Sequence, residues 1–135
     1  MIKSMYLFDS SSIIKAFKEI KLKPLGGQAI QCLTIYEVLN AIWKEFTLLH
    51  LLTADEVLSL VNSFLDLVHE MIILDIKGLE HDIIQLAMSR KMTVYDASYI
   101  ALAIKYKLIL VTEDKELMKK SRDLIQVISL NDIIH

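Results

Sequence analysis

Leu108-Ile109-Leu110-Val111-Thr112-Glu113-Asp114 is the stretch that decides how this chain folds. Four apolar residues in a row, without polar alternation, describe a strand covered on both faces, as in a parallel sheet between helix layers. The run ends in a hydroxyl and two acids, residue types that open helices. Outward from it, Met5 to Phe8, Met71 to Leu74 and Ile125 to Ile128 repeat the apolar run, and Gln28 to Leu33 supplies a fifth strand. Between the strands the spacing predicts helices. Val57, Leu60, Val61, Phe64, Leu65 and Val68 share one face of a helix that Thr53 can cap. Ile35, Leu39, Ile42, Phe46 and Leu49 form a second such face. Val94 to Tyr106 is apolar almost all round, which places it deep against the sheet. Strands alternating with helices imply an α/β fold with right-handed crossovers.

A chain of 135 residues with 54% hydrophobic content can bury one substantial core, so residues 1–135 are expected to form a single domain. Pro24-Leu25-Gly26-Gly27 is the only strong turn cluster, and one proline and three glycines leave no room for a flexible linker. The balance of 15 basic and 17 acidic residues lacks the basic excess common in nucleic-acid-binding domains. A polyanion would have to be held locally, at Lys15, Lys18, Lys21 and Lys23 or at Lys115, Lys119 and Lys120. Each cluster also reads as a solvated helix face. The single cysteine, Cys32, excludes an internal disulfide, suits a reducing compartment and is expected to be a small buried hydrophobe. No apolar run reaches the ~18 residues that cross a bilayer. Met1-Ile2-Lys3-Ser4-Met5 leads directly into a strand, without the apolar region of a signal peptide. The expected location is cytoplasmic.

Asp9, Glu37, Asp96 and Asp114 each stand at the edge of an apolar segment. Taken singly, each has a structural role open to it. Thr34 with Glu37 and Thr93 with Asp96 resemble capping boxes, while Asp9 and Asp114 can cap the helices that follow them. Taken together, two follow strands directly and two are expected in first helical turns, and those positions share one rim of a parallel α/β sheet. Positive helix ends there lower the cost of keeping carboxylates ionised. Convergence brings repulsion of about 4 kcal/mol for two unit charges roughly 4 Å apart at an effective dielectric of about 20, which a cation must offset. The donors are all oxygens. His50, His69, His81 and His135 show no ligand spacing and are expected at the surface, so Mg²⁺ or Mn²⁺ is favoured over zinc. Ser10-Ser11-Ser12 lacks the glycine frame of a nucleophile elbow and reads as capping.

On these motifs the chain resembles the PIN-domain ribonucleases, and within them the VapC-type toxins of type II toxin–antitoxin systems. Tyr6-Leu7-Phe8-Asp9-Ser10-Ser11 is similar to the family's first motif, and Glu37 with Asn40 to its helix-borne glutamate. Asp96-Ala97-Ser98-Tyr99-Ile100-Ala101-Leu102-Ala103 and Leu110-Val111-Thr112-Glu113-Asp114 are similar to the third and fourth. The resemblance implies a three-layer α/β/α PIN-like fold around a parallel sheet of about five strands. It also implies that Asp9, Glu37, Asp96 and Asp114 bind Mg²⁺ or Mn²⁺ as the catalytic carboxylates, with Ser11, Asn40 and Thr112 in support. Glu116 stands two residues beyond the fourth acid, where many relatives carry Asp. The implied activity is metal-dependent endoribonuclease cleavage of RNA phosphodiesters, leaving 5′-phosphate and 3′-hydroxyl ends. The implied partners are a cognate antitoxin protein and a second copy in a homodimer. Two other readings compete. In one, a catalytically inactive PIN-like interaction module uses the acids as caps and binds a protein through the apolar surplus at Trp43, Phe46, Leu48, Leu49, Leu51 and Leu52. In the other, a phosphatase or phosphotransfer domain, the strand-end Asp9 lacks the second acid two residues on that such chemistry often uses.

Overall fold

The computed structural model describes residues 5–133. Met1 to Ser4, which lead into the first expected strand, and the expected surface position of His135 lie outside that range. Five parallel strands, β1 (Tyr6–Phe8), β2 (Ala29–Gln31), β3 (Ile72–Leu74), β4 (Ile109–Val111) and β5 (Val127–Ile128), form one sheet in the order β3-β2-β1-β4-β5. Leu7 pairs with Leu110 and Phe8 with Val111, so two of the apolar runs lie side by side in the interior of the sheet. Consecutive strand residues face opposite sides of a sheet. Leu7, Ala29 and Leu110 accordingly enter one core, with Ile83 and Ala87 of α4 (Glu80–Arg90), the inner residues of α5 (Val94–Tyr106) and Leu117 of α6 (Lys115–Ser121). Phe8, Ile30 and Val111 enter the other, with Ile13 of α1 (Ser10–Lys18), Val38 of α2 (Cys32–Thr47) and Phe64 of α3 (Ala54–His69). The result is the expected three-layer α/β/α arrangement.

The helix capped by Thr53 forms as its pattern predicts. The Thr53 hydroxyl accepts from the Glu56 amide at 3.2 Å and Glu56 accepts from the Thr53 amide at 3.0 Å. Thr53→Ala is expected to lower stability by about 1 kcal/mol in a urea titration, the usual effect of a lost N-cap. The buried run from Ala97 to Ala103 likewise matches the expectation of a helix apolar nearly all round.

Other expectations fail for physical reasons. Gln28 to Leu33 shortens to Ala29–Gln31 because the Thr34 hydroxyl accepts from the Gln31 amide at 3.3 Å and α2 starts at Cys32. Cys32 is exposed, not buried. It stands two residues, or about 200° of helical rotation, before the buried Thr34, and so points the opposite way. On α2 the buried positions are Thr34 and Val38, whereas Leu39 and Phe46 of the expected face are partly open and Leu49 lies beyond the helix. A 16-residue helix runs about 24 Å, against roughly 10 Å for a three-residue strand, so α2 overhangs the sheet. Trp43, Leu48 and Leu51 are exposed at that overhang. His50, His69 and His81 are exposed as expected, and no helix among the described residues is long and apolar enough to cross a membrane.

Candidate active site

The carboxyl end of the sheet begins with a clasp between its two central strands. The Asp9 amide donates to the Val111 carbonyl at 3.2 Å, carrying the β1–β4 pairing one residue past the strands. Asp9 caps α1, accepting on Oδ1 from the Ser12 amide at 3.0 Å and the Ser11 hydroxyl at 2.7 Å. Its Oδ2 accepts from the Thr112 hydroxyl. Ser11 and Thr112 also both accept from the loop after β4: Glu113 N–H donates to Ser11 Oγ at 2.9 Å and Asp114 N–H to Thr112 Oγ1 at 3.1 Å. Two hydroxyls thus lock the first acid to the turn that carries the fourth. Glu113 is occupied elsewhere, bonded to Lys15 at 2.8 Å and to the Leu130 amide at 2.8 Å. Lys18 and Lys21 are also paired with acids, at Glu45 and Glu19, so the N-terminal basic cluster is largely neutralised within the fold.

Glu37 lies in the second turn of α2, not at its start, because α2 begins at Cys32. The expected Thr34–Glu37 capping box therefore does not form. Instead the Tyr99 hydroxyl, from the buried face of α5, donates to Glu37 Oε1 at 2.7 Å. Tyr99 is only 2% exposed, and its oxygen also meets Thr34 Oγ1 at 2.8 Å. Asp96 does sit in a first turn, where its amide donates to the Thr93 hydroxyl at 3.1 Å. No reciprocal bond from its carboxylate to Thr93 closes a capping box among the described residues, so the side chain is left for the rim. Asp114 caps α6, with Oδ1 taking the amides of Glu116 at 2.9 Å and Leu117 at 3.2 Å. Asn40 is exposed one turn beyond Glu37, and Glu116 is exposed on α6.

The acids feel one another. Burial pushes the Asp9 carboxyl above the usual carboxylate range, against the hydrogen bonds from Thr112, Ser12 and Ser11 that favour its charged form. Glu37 is also raised, by burial first and then by the charges of Asp9 and Asp96, with Tyr99 and Ser10 opposing. Asp96 is raised by burial, then by Asp114 and Asp9, with a smaller push from Glu116 and an opposing pull from Lys120. Burial raises the Tyr99 phenol, keeping it protonated and a donor. Asp9, Glu37, Asp96 and Asp114 therefore share one field, which Glu116 touches at its edge. Lys120 is close enough to act on Asp96, so the acids are not free of protein cations.

Among the described residues, no three acids, histidines or cysteines are already gathered tightly enough to enclose an ion. Carboxylate oxygens are the donors that a hard cation takes. They do not suit zinc, which wants nitrogen or sulfur ligands in a closed tetrahedron. The donor set fits Mg²⁺ or Mn²⁺.

No family model matches the chain. Exonuclease VapC9 of Pyrobaculum aerophilum is 33% identical to it over 130 residues, covering 93% of this chain and 92% of that protein. The chain belongs to the VapC family of PIN-domain proteins. The crystal structure of PAE2754 from Pyrobaculum aerophilum superposes on this VapC-type chain with a TM-score of 0.76 at 30% identity, covering 96% of this chain and 93% of the other. FitAcB from Neisseria gonorrhoeae (TM-score 0.62, 96% of this chain and 100% of that one) and FitAB bound to an IR36 DNA fragment (TM-score 0.64, 97% and 99%) match at 15% identity and share the fold. Within the VapC-type site, sequence reasoning missed Tyr99 as the hydrogen-bond partner of Glu37. A tyrosine in an apolar helix reads as core, and only the i, i+3 spacing of Thr34 and Glu37 hinted at shared hydrogen bonding.

Proposed function

We propose that this VapC-type chain is a metal-dependent endoribonuclease that hydrolyses RNA phosphodiesters, and that it is the toxin of a toxin–antitoxin pair. The observation that carries this reading is the gathering of Asp9, Glu37, Asp96 and Asp114 at the sheet's carboxyl rim, where the charge of Asp9 acts on Glu37 and those of Asp114 and Asp9 act on Asp96, an arrangement that calls for a cation. Asp9, Glu37, Asp96 and Asp114 would hold Mg²⁺ or Mn²⁺. The chemistry such an ion supplies is a more acidic water for attack on phosphorus and positive charge against the phosphate oxygens. The protein's own part is positional. Ser11 and Thr112 fix Asp9, Tyr99 fixes Glu37, and Lys120 beside Asp96 offers the substrate phosphate a cationic contact. The apolar groove lined by Ile14, Phe17, Val38, Ile42, Leu60 and Phe64 would take an amphipathic antitoxin segment. The family also leads us to place the protein in the cytoplasm as a homodimer.

A cleavage assay on covalently closed and linear RNA, with and without Mn²⁺, tests the activity. Linearisation of the closed RNA, which has no ends, is the expected result. Attack on linear RNA alone, progressing from an end, would instead give this chain the exonuclease activity that its Pyrobaculum relative is named for. The interaction-module reading draws on Asp9 and Asp114 both serving as caps. It would prevail if neither RNA were cut and Mn²⁺ titration found no saturable site.

A further inference from the structure

Four groups from two helices and a strand form a single line of hydrogen bonds that ends on Glu37. An ionised carboxylate can only accept, so in the 2.7 Å contact the proton belongs to Tyr99. With that proton committed, the 2.8 Å contact between Tyr99 and Thr34 must be donated by Thr34. Thr34 in turn receives the backbone N–H of Gln31, the last residue of β2, at 3.3 Å. Every donor in the line points the same way. Chains of this kind polarise one another and stiffen their terminal acceptor. Thr34 is fully buried, and the Gln31 side chain is tied across to Ser98 of α5 at 2.8 Å, so the line has little freedom to rearrange.

A plain core tyrosine would need only one partner for its hydroxyl, and Thr34 alone could provide it. The second bond, to Glu37, joins α5 to α2 at the one of the four candidate acids that neither caps a helix nor stands at a helix start. We propose that Tyr99, oriented by Thr34 and the Gln31 amide, is a positioning residue that fixes the Glu37 carboxylate for cation binding. Glu37 has three side-chain torsions of its own and sits on the overhanging helix α2. Tyr99 replaces that freedom with one orientation, referred through Gln31 to the sheet.

The inference rests on the proposed metal site, and its test separates the two. Mn²⁺ affinity is measured by calorimetry for the full chain, Asp96→Asn, Tyr99→Phe, Glu37→Gln and the Tyr99→Phe/Glu37→Gln double variant, with melting temperatures alongside. Tyr99→Phe keeps the ring and removes only the hydroxyl. It is expected to weaken Mn²⁺ binding by about 10- to 100-fold, the usual loss when a ligand's supporting hydrogen bond is removed. In the Glu37→Gln background it is expected to add nothing, because a residue that acts through Glu37 has then lost its target. Thr34→Val, which breaks the line one link back, is expected to weaken binding in the same direction, and Thr34→Ser to restore it. Unchanged affinity in Tyr99→Phe, or an equal loss with and without Glu37, would overturn the proposal while leaving the metal site standing. A native chain that binds no Mn²⁺, or binds it equally well as Asp96→Asn, overturns the metal reading and this inference with it.

Discussion

Asp96→Asn is expected to reduce Mn²⁺-stimulated RNA cleavage by roughly 10³-fold, because metal charge stabilisation is worth several kcal/mol and each 1.36 kcal/mol is about tenfold in rate. The fold should survive. Asp96 holds its helix start through its backbone amide, which the variant keeps, while its side chain closes no cap. The same substitution carries a pH signature. Burial and the charges of Asp114 and Asp9 raise the Asp96 pKa above its ordinary value of 3.8. An acid raised on folding stabilises the fold while protonated, and that advantage is lost as the pH rises through its folded pKa. Asparagine does not titrate. Without metal, the variant should therefore melt with the native chain near about pH 4 and above it near about pH 7. Melting curves at the two pH values check this, and a variant that melts lower at neutral pH would mean that Asp96 is not among like charges.

Thr112→Val is expected to destabilise the metal-free protein by roughly 3 kcal/mol and to lower its melting temperature by about 10 °C. Valine matches threonine in shape, so the core should pack as before, and the loss comes from two polar groups. Asp9 Oδ2 loses its hydroxyl donor within a 6% exposed residue, and the Asp114 amide loses its acceptor. Both losses bear on the proposed metal site, because one hydroxyl serves the first acid and the turn bearing the fourth. Losing a bond that favours the charged form pushes Asp9 further up, so the deficit should be larger at neutral than at acid pH. Urea titration against Thr112→Ser, which keeps the hydroxyl, isolates the effect. Equal stability of the valine and native proteins would show that Asp9 does not depend on the clasp.

The layers were legible because burial on both faces leaves an unbroken apolar run, as at Tyr6–Phe8 and Ile109–Val111, whereas Ile72–Leu74 is an apolar run on an edge strand that leaves Ile72 and Ile73 exposed, against the expectation of two-sided burial. Thr53 with Glu56 was legible for a similar reason, since a capping box is local chemistry. Asp9 and Asp114 were readable both as caps and as site residues, and they serve as caps. The phase of α2 was not legible. β2 passes into α2 without a loop, so no turn residue marks the boundary, and Glu37 ends up a turn deeper than its echo of the Asp96 motif suggests. The clasp and the Tyr99 line depend on which strand and which helix lie adjacent. Apolar runs carry no such information, because they specify burial but not neighbours.

The central pairing of β1 with β4 also orders events during synthesis. The hydroxyl that holds Asp9 Oδ2 lies 103 positions further along the chain. Contacts so distant in the chain form late, because loop closure opposes them until both segments exist. A growing polypeptide on the ribosome therefore has no assembled acidic rim until Thr112 and the turn bearing Asp114 have emerged. Any latent cutting power would be withheld from the messenger and translation machinery that are producing it.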